Sequence, residues 1–518
     1  MNSFEGILRQ AETWIEKCLT GHPNCQPRKD SSQFPTRLID VGPPDGSRDP
    51  FLFIPALPLD NPKVSNVDLE EGNAKTPKIG KLLSLLSIPG PNEATKAKAR
   101  AGLYVALSYC WGNTPNLVTT TKNISKMRDR IPWNKIPATI QDAISVTRGL
   151  GIQYLWVDAL CIIQDWKEDW EAEAPKMAQV YGGAFLTISA ALAPDTSHRL
   201  IDRQRGAAGL SKLPRSRAID LPLQDDQLYS RAWALQERIL SIRLLIFGSD
   251  QLYWECQDCQ KGEDGTKLVK SISWRLSTEV SYKDWHAIVR DYTCRLLTVE
   301  TDKLYALAGL EAIYRQATHD QYLSGLWRKS LVSDLLWQQK HVVYGHKAVP
   351  RAPLLYRAPS WSWASIDGNA LFPLTGRPHY QAEAELLGTY LDPVEGEVPR
   401  AGEWLWLRAP LVKSNTHGDI THISGKELTV AFMDIQAGEA NVNVLAPDAN
   451  PFNWNKNIPM SETWCVLLAT DQGEAFGLVL RKMEATESDF QRIGSFMSNN
   501  EQNKIALQEA GKSELFIL

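Results

Sequence analysis

The sequence is short of several things that would have fixed its class at once. No apolar run reaches the ~18 residues that a membrane-spanning helix requires. The first residues, MNSFEGILRQAETWIEKC, scatter charges through the stretch and hold no signal-peptide core. Charge is nearly balanced, with 56 Lys+Arg against 60 Asp+Glu and a net −4. That excludes the basic footprint of a nucleic-acid binder. Eight cysteines in 518 residues are too few and too scattered for a disulfide framework, which points to a reducing, cytoplasmic setting. The nine histidines are scattered too, and no Ser, His and Asp set has the spacing of a hydrolytic triad. Glycine-rich phosphate loops and internal repeats are missing.

What is present is aromatic. Tryptophan occurs 18 times, often in short clusters, and mostly builds cores. Hydrophobic content of 43% and charged content of 22% are those of a globular protein, and the length suggests about three domains. Phe4, Ile7, Leu8, Ala11, Ile15 and Leu19 recur at helical spacing, so an amphipathic helix is expected over 3–19, ending at Gly21 and Pro23. Cys18, His22 and Cys25 sit at its end. A structural zinc site needs four ligands, and none follows locally. Cys256 and Cys259 could contribute only if the chain folds back, so no metal is assigned and these three residues stay as candidates.

The middle of the chain reads as α/β. Short strands are expected at Arg37–Val41 and Phe51–Ile54, then a long irregular connector with an apolar island at Leu82–Ile88. Tyr104–Tyr109, Tyr154–Val157 and Ala184–Ile188 are apolar, β-branched or aromatic runs of strand length. Between them lie a helix beginning near Ile136-Pro137 and closed by Gly149 or Gly151, and a helix that Pro175 should interrupt and restart near Ala174. Two βαβ units sharing a strand predict an open sheet with parallel strands and flanking helices. Ligands of such sheets bind beyond the strands' carboxyl ends, where Asp158, Cys161, Gln164 and Asp165 fall. Ala191–Tyr229 reads as loop-like and basic, with at most a short strand at Ile219–Leu223. Ser230–Ser241 then has strong helix propensity and carries Trp233, Gln236 and Glu237. Glu237 has no basic residue three or four positions away, so the usual local ion pair is missing. Glu173 and Arg231 read as salt-bridge partners. Strands are expected at Arg243–Phe247 and Leu252–Cys256.

The domains expected are 1–102 (helix, short strands and connector), 103–257 (α/β), 258–365 (mainly helical) and 366–518 (β-rich). In the third, Trp285, Ile288, Tyr292 and Leu296 are at helical spacing, and Asp302–Gly309 continues the pattern. In the fourth, strands are expected at Trp404–Leu407, Leu428–Phe432, Trp464–Leu468 and Phe476–Leu480.

Three blocks in order, YVALSYCWG (104–112), LWVDALCIIQD through MAQVYGGAFLTISA (155–190) and SRAWALQERILSIRLLIF (230–247), resemble the fungal heterokaryon incompatibility (HET) domain. The Cys18/His22/Cys25 cluster, DKLYALAGL (302–310), APSWSWAS (358–365) and the stretch GLVLRKME to FQRIGSF (477–496) resemble the flanks common in such proteins. The resemblance implies an effector of fungal non-self recognition that promotes programmed cell death. It also implies self-association or an incompatibility partner protein.

HET domains have been compared with TIR domains, which open on a strand resembling FISY and later carry W-C-x-x-E. In the TIR domains that cleave NAD, that glutamate is catalytic. Here the first strand ends Ala106-Leu107-Ser108-Tyr109, and Trp233 precedes Glu237 by the same interval. The resemblance therefore implies a TIR-like sheet, NAD as a substrate and Glu237 as the catalytic acid. Trp233 or Trp111 would stack on the nicotinamide or adenine, and Asp158, Gln164 or Gln236 would orient hydroxyls, with Asp165 also counted among the ligand-site residues. The plainer reading makes Asp158 and Asp165 loop caps and the tryptophans core. Two other functions are weighed beside it: a non-enzymatic signalling or assembly module, and an accessory protein of a fungal metabolic pathway.

Overall fold

The computed structural model describes residues 3–25, 34–55, 103–113, 116–201, 227–266, 280–340, 353, 355–377, 379–392, 402–415, 421–425, 428–437, 440–447, 463–483, 488–499 and 501–518. The expected apolar island at Leu82–Ile88 and strand at Ile219–Leu223 lie outside the described residues. The chain forms two compact units: Met1–Arg275 with Leu307–Leu310, and Leu276–Ala306 with Glu311–Leu518.

The first unit is built on one eight-stranded sheet. Its strands are β1 (Leu38–Asp40), β2 (Phe51–Phe53), β3 (Tyr104–Ser108), β4 (Tyr154–Trp156), β5 (Leu186–Ser189), β6 (Arg243–Phe247), β7 (Leu252–Cys256) and β8 (Gln260–Gly262). Their order is β2-β1-β4-β3-β5-β6-β7-β8. The inner four, β4, β3, β5 and β6, are mutually parallel, and antiparallel ribbons close both sides. Both faces of a parallel strand are covered by crossovers, so its residues should all be apolar or small. Tyr104–Ser108 and Leu186–Ser189 are buried at every position. Chain order departs from the simplest reading of the two βαβ units. The strand at Ala184–Ile188 does not pair with Tyr154–Val157, because β3 lies between them. The chain leaves β3 to one side for β4, then crosses to its other side for β5. That reversal puts the switch point of the sheet at the carboxyl end of β3.

The helices follow the local chemistry. α1 (Phe4–Gly21) begins at Ser3, whose hydroxyl accepts from the Gly6 amide at 3.2 Å, a normal N-cap. It lies against β7, where Trp14 and Trp254 meet with ring centroids 6.0 Å apart. After the short α2 (Ile124–Asp129), α3 (Ala138–Gly149) starts directly after Pro137 and packs on β3 and β4. α4 (Asp158–Cys161) is a single turn leaving β4. Pro175 acts as its missing amide dictates. α5 (Lys167–Glu173) stops, a 3-10 turn spans Ala174–Lys176, and α6 (Met177–Gly183) starts afresh. α6 is fixed to the central strand by two phenols. Tyr104 donates to the Val180 carbonyl at 2.6 Å, and Tyr181 donates to the Leu107 carbonyl at 3.1 Å. α7 (Ala232–Leu240) packs beside α6 and carries Glu237.

The second unit is less helical than its sequence suggests. Helices occupy Tyr282–Thr293 and Ala308–Thr318, with short helical turns between, and Leu296 falls outside the first and is exposed. A hairpin pairs Tyr322–Leu323 with Leu326–Trp327, and Gln338–Lys340 pairs with Asn369–Leu371. Gln260–Gly262, expected in the helical segment, is instead the outermost strand of the first unit's sheet. Tryptophan supplies the bulk here: Trp285, Trp327, Trp337, Trp361 and Trp363 are fully buried. The β-rich end is a large, almost wholly antiparallel sheet. Its strands Leu405–Asn415, Leu428–Ala437, Thr463–Asp471 and Glu474–Lys482 contain or overlap all four expected runs.

Candidate functional site

Three elements meet at the carboxyl end of the parallel strands. The end of β3 delivers Ser108, Tyr109, Cys110 and Trp111. The end of β4 delivers Asp158, and α7 delivers Glu237, with Arg231 at its N-cap position. Ser108 donates its hydroxyl hydrogen to Glu237 in a short hydrogen bond. The Trp111 indole N–H donates to Asp158 Oδ2 at 2.9 Å, and the Ala159 amide donates to Oδ1 at 2.7 Å. Arg231 donates through Nη1 to the Tyr109 carbonyl and lies within electrostatic reach of both carboxylates. Glu237 is 4% exposed and Asp158 is half-buried.

Burial shapes the charges. It pushes the Glu237 carboxyl up to about 7, with Asp158 adding to the rise while Arg231 and the Ser108 hydroxyl work against it. Asp158 is raised by the same cause, again countered first by Arg231. Burial works against the charge of Arg231, and Glu237, Cys110 and Asp158 more than offset it. Cys110 is pushed up to about 11 and Cys161 to about 12, both by burial, so neither is a ready nucleophile. Around neutral pH the cluster therefore holds two acids and one fixed cation, with Glu237 divided between its two protonation states.

The sequence-predicted residues separate on this geometry. Glu237, Asp158 and Trp111 come together. Gln236 points elsewhere, its Oε1 accepting from the Gly309 amide at 2.8 Å. Gln164 spans its own loop, donating to the Asp158 and Ile162 carbonyls at 3.1 Å. Asp165 is exposed and caps the Thr121 turn, accepting from its amide at 2.7 Å and its hydroxyl at 2.8 Å. Trp233 is half-buried on α7. Glu173 pairs with Lys176 at 2.8 Å. Residue patterning did not single out Ser108 or Tyr109 as part of a site, and gave Arg231 only a bridging role. The signal for Ser108 is a hydroxyl ending an otherwise apolar strand.

At the other end of the unit, the chain does fold back. Cys18, His22 and Cys25 are joined by Cys256 at the end of β7, their ligand atoms all within 4.8 Å of one another.

Residues 104–237 match the model of the family described as heterokaryon incompatibility protein (HET). The chain carries a HET domain. The match runs from the first residue of β3 to Glu237 itself, so it encloses Ser108, Trp111, Asp158, Arg231 and Glu237. A HET domain implies a function related to heterokaryon incompatibility. Searches of curated proteins and of solved structures find no match to the chain. Among the described residues, no helix is long and apolar enough to cross a membrane.

Proposed function

We propose that this HET domain is an effector of fungal non-self recognition that promotes cell death by cleaving NAD, with Glu237 as the catalytic carboxylate. The observation that carries the proposal is the meeting of Glu237, Ser108 and Asp158 at the carboxyl end of β3. NAD brings its leaving group as a cationic pyridinium. When the C1′–N bond breaks, the electron pair neutralises the nicotinamide nitrogen, and no proton donor is needed there. Positive charge then develops on the ribose, and an ionised Glu237 in a water-poor site stabilises it. Water adds at C1′ and gives up a proton, leaving ADP-ribose. Arg231 keeps a fraction of Glu237 ionised near neutrality, and Asp158, held by Trp111, orients a ribose hydroxyl.

One observation favours a second reading, a non-enzymatic assembly module. Glu237 is 4% exposed, so the cluster must open before a dinucleotide reaches it. One experiment separates the two. Full-length protein is incubated with NAD and nicotinamide release is followed, alongside the toxicity of the overexpressed protein in a fungal host. Catalysis predicts release that rises as pH passes about 7 and is lost in Glu237→Gln together with toxicity. Toxicity that persists in Glu237→Gln with no release from the wild type overturns the enzymatic reading.

A further inference from the structure

The N-terminal helix and the last long strand of the first unit hold a set of soft ligands that the NAD reading does not use. Cys18 lies in the last turn of α1, and His22 caps that helix, its amide donating to the Cys18 carbonyl at 3.3 Å. Pro23–Cys25 then makes a 3-10 turn, and the Cys25 sulfur lies within 4.8 Å of the Cys18 and His22 ligand atoms. Cys256 arrives from the end of β7, 234 positions after His22, with its Sγ 3.3 Å from His22 Nδ1. Four ligand atoms mutually within 4.8 Å are near enough to share one ion. Bonds of about 2.3 Å to sulfur and 2.0–2.1 Å to nitrogen give edges on the order of 3.5–3.8 Å, reachable by small side-chain rotations. Cys18, Cys25 and Cys256 are buried and form no disulfide.

A second observation points the same way. Arg243 on β6 is 1% exposed, yet among the described residues no carboxylate forms an ion pair with it. Its guanidinium donates to the Cys25 and Phe185 carbonyls and lies over the Phe185 ring at 5.2 Å. A buried cation needs a counter-charge. Three thiolates and a neutral imidazole around a divalent ion carry one net negative charge, and the carbonyl that Arg243 holds belongs to the ligand residue Cys25. The surroundings also hold the two ligand-bearing turns together. Asn24 donates through its amide and side chain to Asp258 at 3.2 and 2.6 Å, and the Cys256 amide donates to the Cys259 carbonyl at 2.9 Å.

We propose that Cys18, His22, Cys25 and Cys256 form a structural zinc site that clamps α1 onto β7 of the HET-domain sheet, with Arg243 balancing its charge. Four protein ligands and no open position make the site structural. Softness favours zinc over magnesium or calcium. Cys259, with its Sγ 3.7 Å from that of Cys256, is a neighbour outside the four.

The test is metal content of the full-length protein purified without chelator, with cobalt(II) substitution as a second readout. The expected result is one zinc per chain, and cobalt protein showing the intense visible bands of a tetrahedral site plus thiolate charge-transfer absorption. Cys256→Ser should lose the bound zinc, and Cys259→Ser should keep it. Because Cys256→Ser could fail to fold, the wild-type cobalt spectrum is decisive on its own. Wild-type protein that stays metal-free after incubation with zinc, or an octahedral cobalt spectrum, overturns the site. Loss of zinc from Cys259→Ser overturns the ligand set.

Discussion

Ser108 and Glu237 are 129 positions apart, and the serine hydroxyl nonetheless rests on the glutamate carboxylate at the end of the central strand. The contact ties the first and third HET-like blocks of the sequence into one cluster and places Glu237 where burial dominates its titration. Four predictions follow from that cluster and its neighbours.

Glu237 makes the fold pH-sensitive in a definite direction. A carboxyl whose folded pKa stands near 7, against 4.5 for the ordinary group, retains its proton in the fold across that interval. Its contribution is therefore fully present below about 4.5 and is lost as pH rises through about 7. The loss is on the order of 3 kcal/mol, and the raised Asp158 acts with the same sign. Melting temperatures from pH 5 to 8 should fall with rising pH, and Glu237→Gln should flatten that slope. An unchanged slope would place Glu237 in a far more solvated setting than the fold indicates.

Arg231→Met removes the cation that offsets the burial of Glu237 and of the half-buried Asp158. At pH 8 this should cost about 3–5 kcal/mol, the usual penalty for removing one partner of a buried charge group. At pH 5 the cost should shrink, because protonation relieves it. Denaturation of the two proteins at both pH values gives the comparison, and an equal loss at each would rule out a charge-based role.

Gln236 should matter to stability and leave the chemistry untouched. Replacing it with leucine strands the Gly309 amide, at about 1–3 kcal/mol. Nicotinamide release per folded molecule should stay at the wild-type value. A selective fall in release would return Gln236 to the ligand site.

Gly112 follows the Trp111 that holds Asp158, and two independent constraints meet there. Its φ is +69°, and a Cβ would sit 2.1 Å from the Asp195 Cβ. Gly112→Ala should cost more than about 2 kcal/mol, combining left-handed strain with the clash. Adding Asp195→Gly should relieve the clash with the Asp195 Cβ and leave the strain, so partial rescue of the melting temperature is the expected result.

Much of the first unit was legible because its signals are local. Buried parallel strands need apolar and β-branched residues at every position, and Tyr104–Ser108 and Leu186–Ser189 have them. Pro175 announces a break in a helix through its missing amide. Sheet order was not legible, since Leu155 fits a place beside either Val105 or Leu186 equally well. The role of Arg231 was hidden for a geometric reason. It precedes Glu237 by six residues, outside the i,i+3 and i,i+4 spacings at which a helical ion pair can be read. Cys256 was visible as a ligand type, but only the fold brings it to Cys18.

Both outer strands of the first sheet, Phe51–Phe53 and Gln260–Gly262, are three residues long. So short a rim offers few free main-chain groups on which an incoming strand could be templated. The four parallel strands β4, β3, β5 and β6 therefore stay interior, shielded on each side by ribbons that offer little to extend.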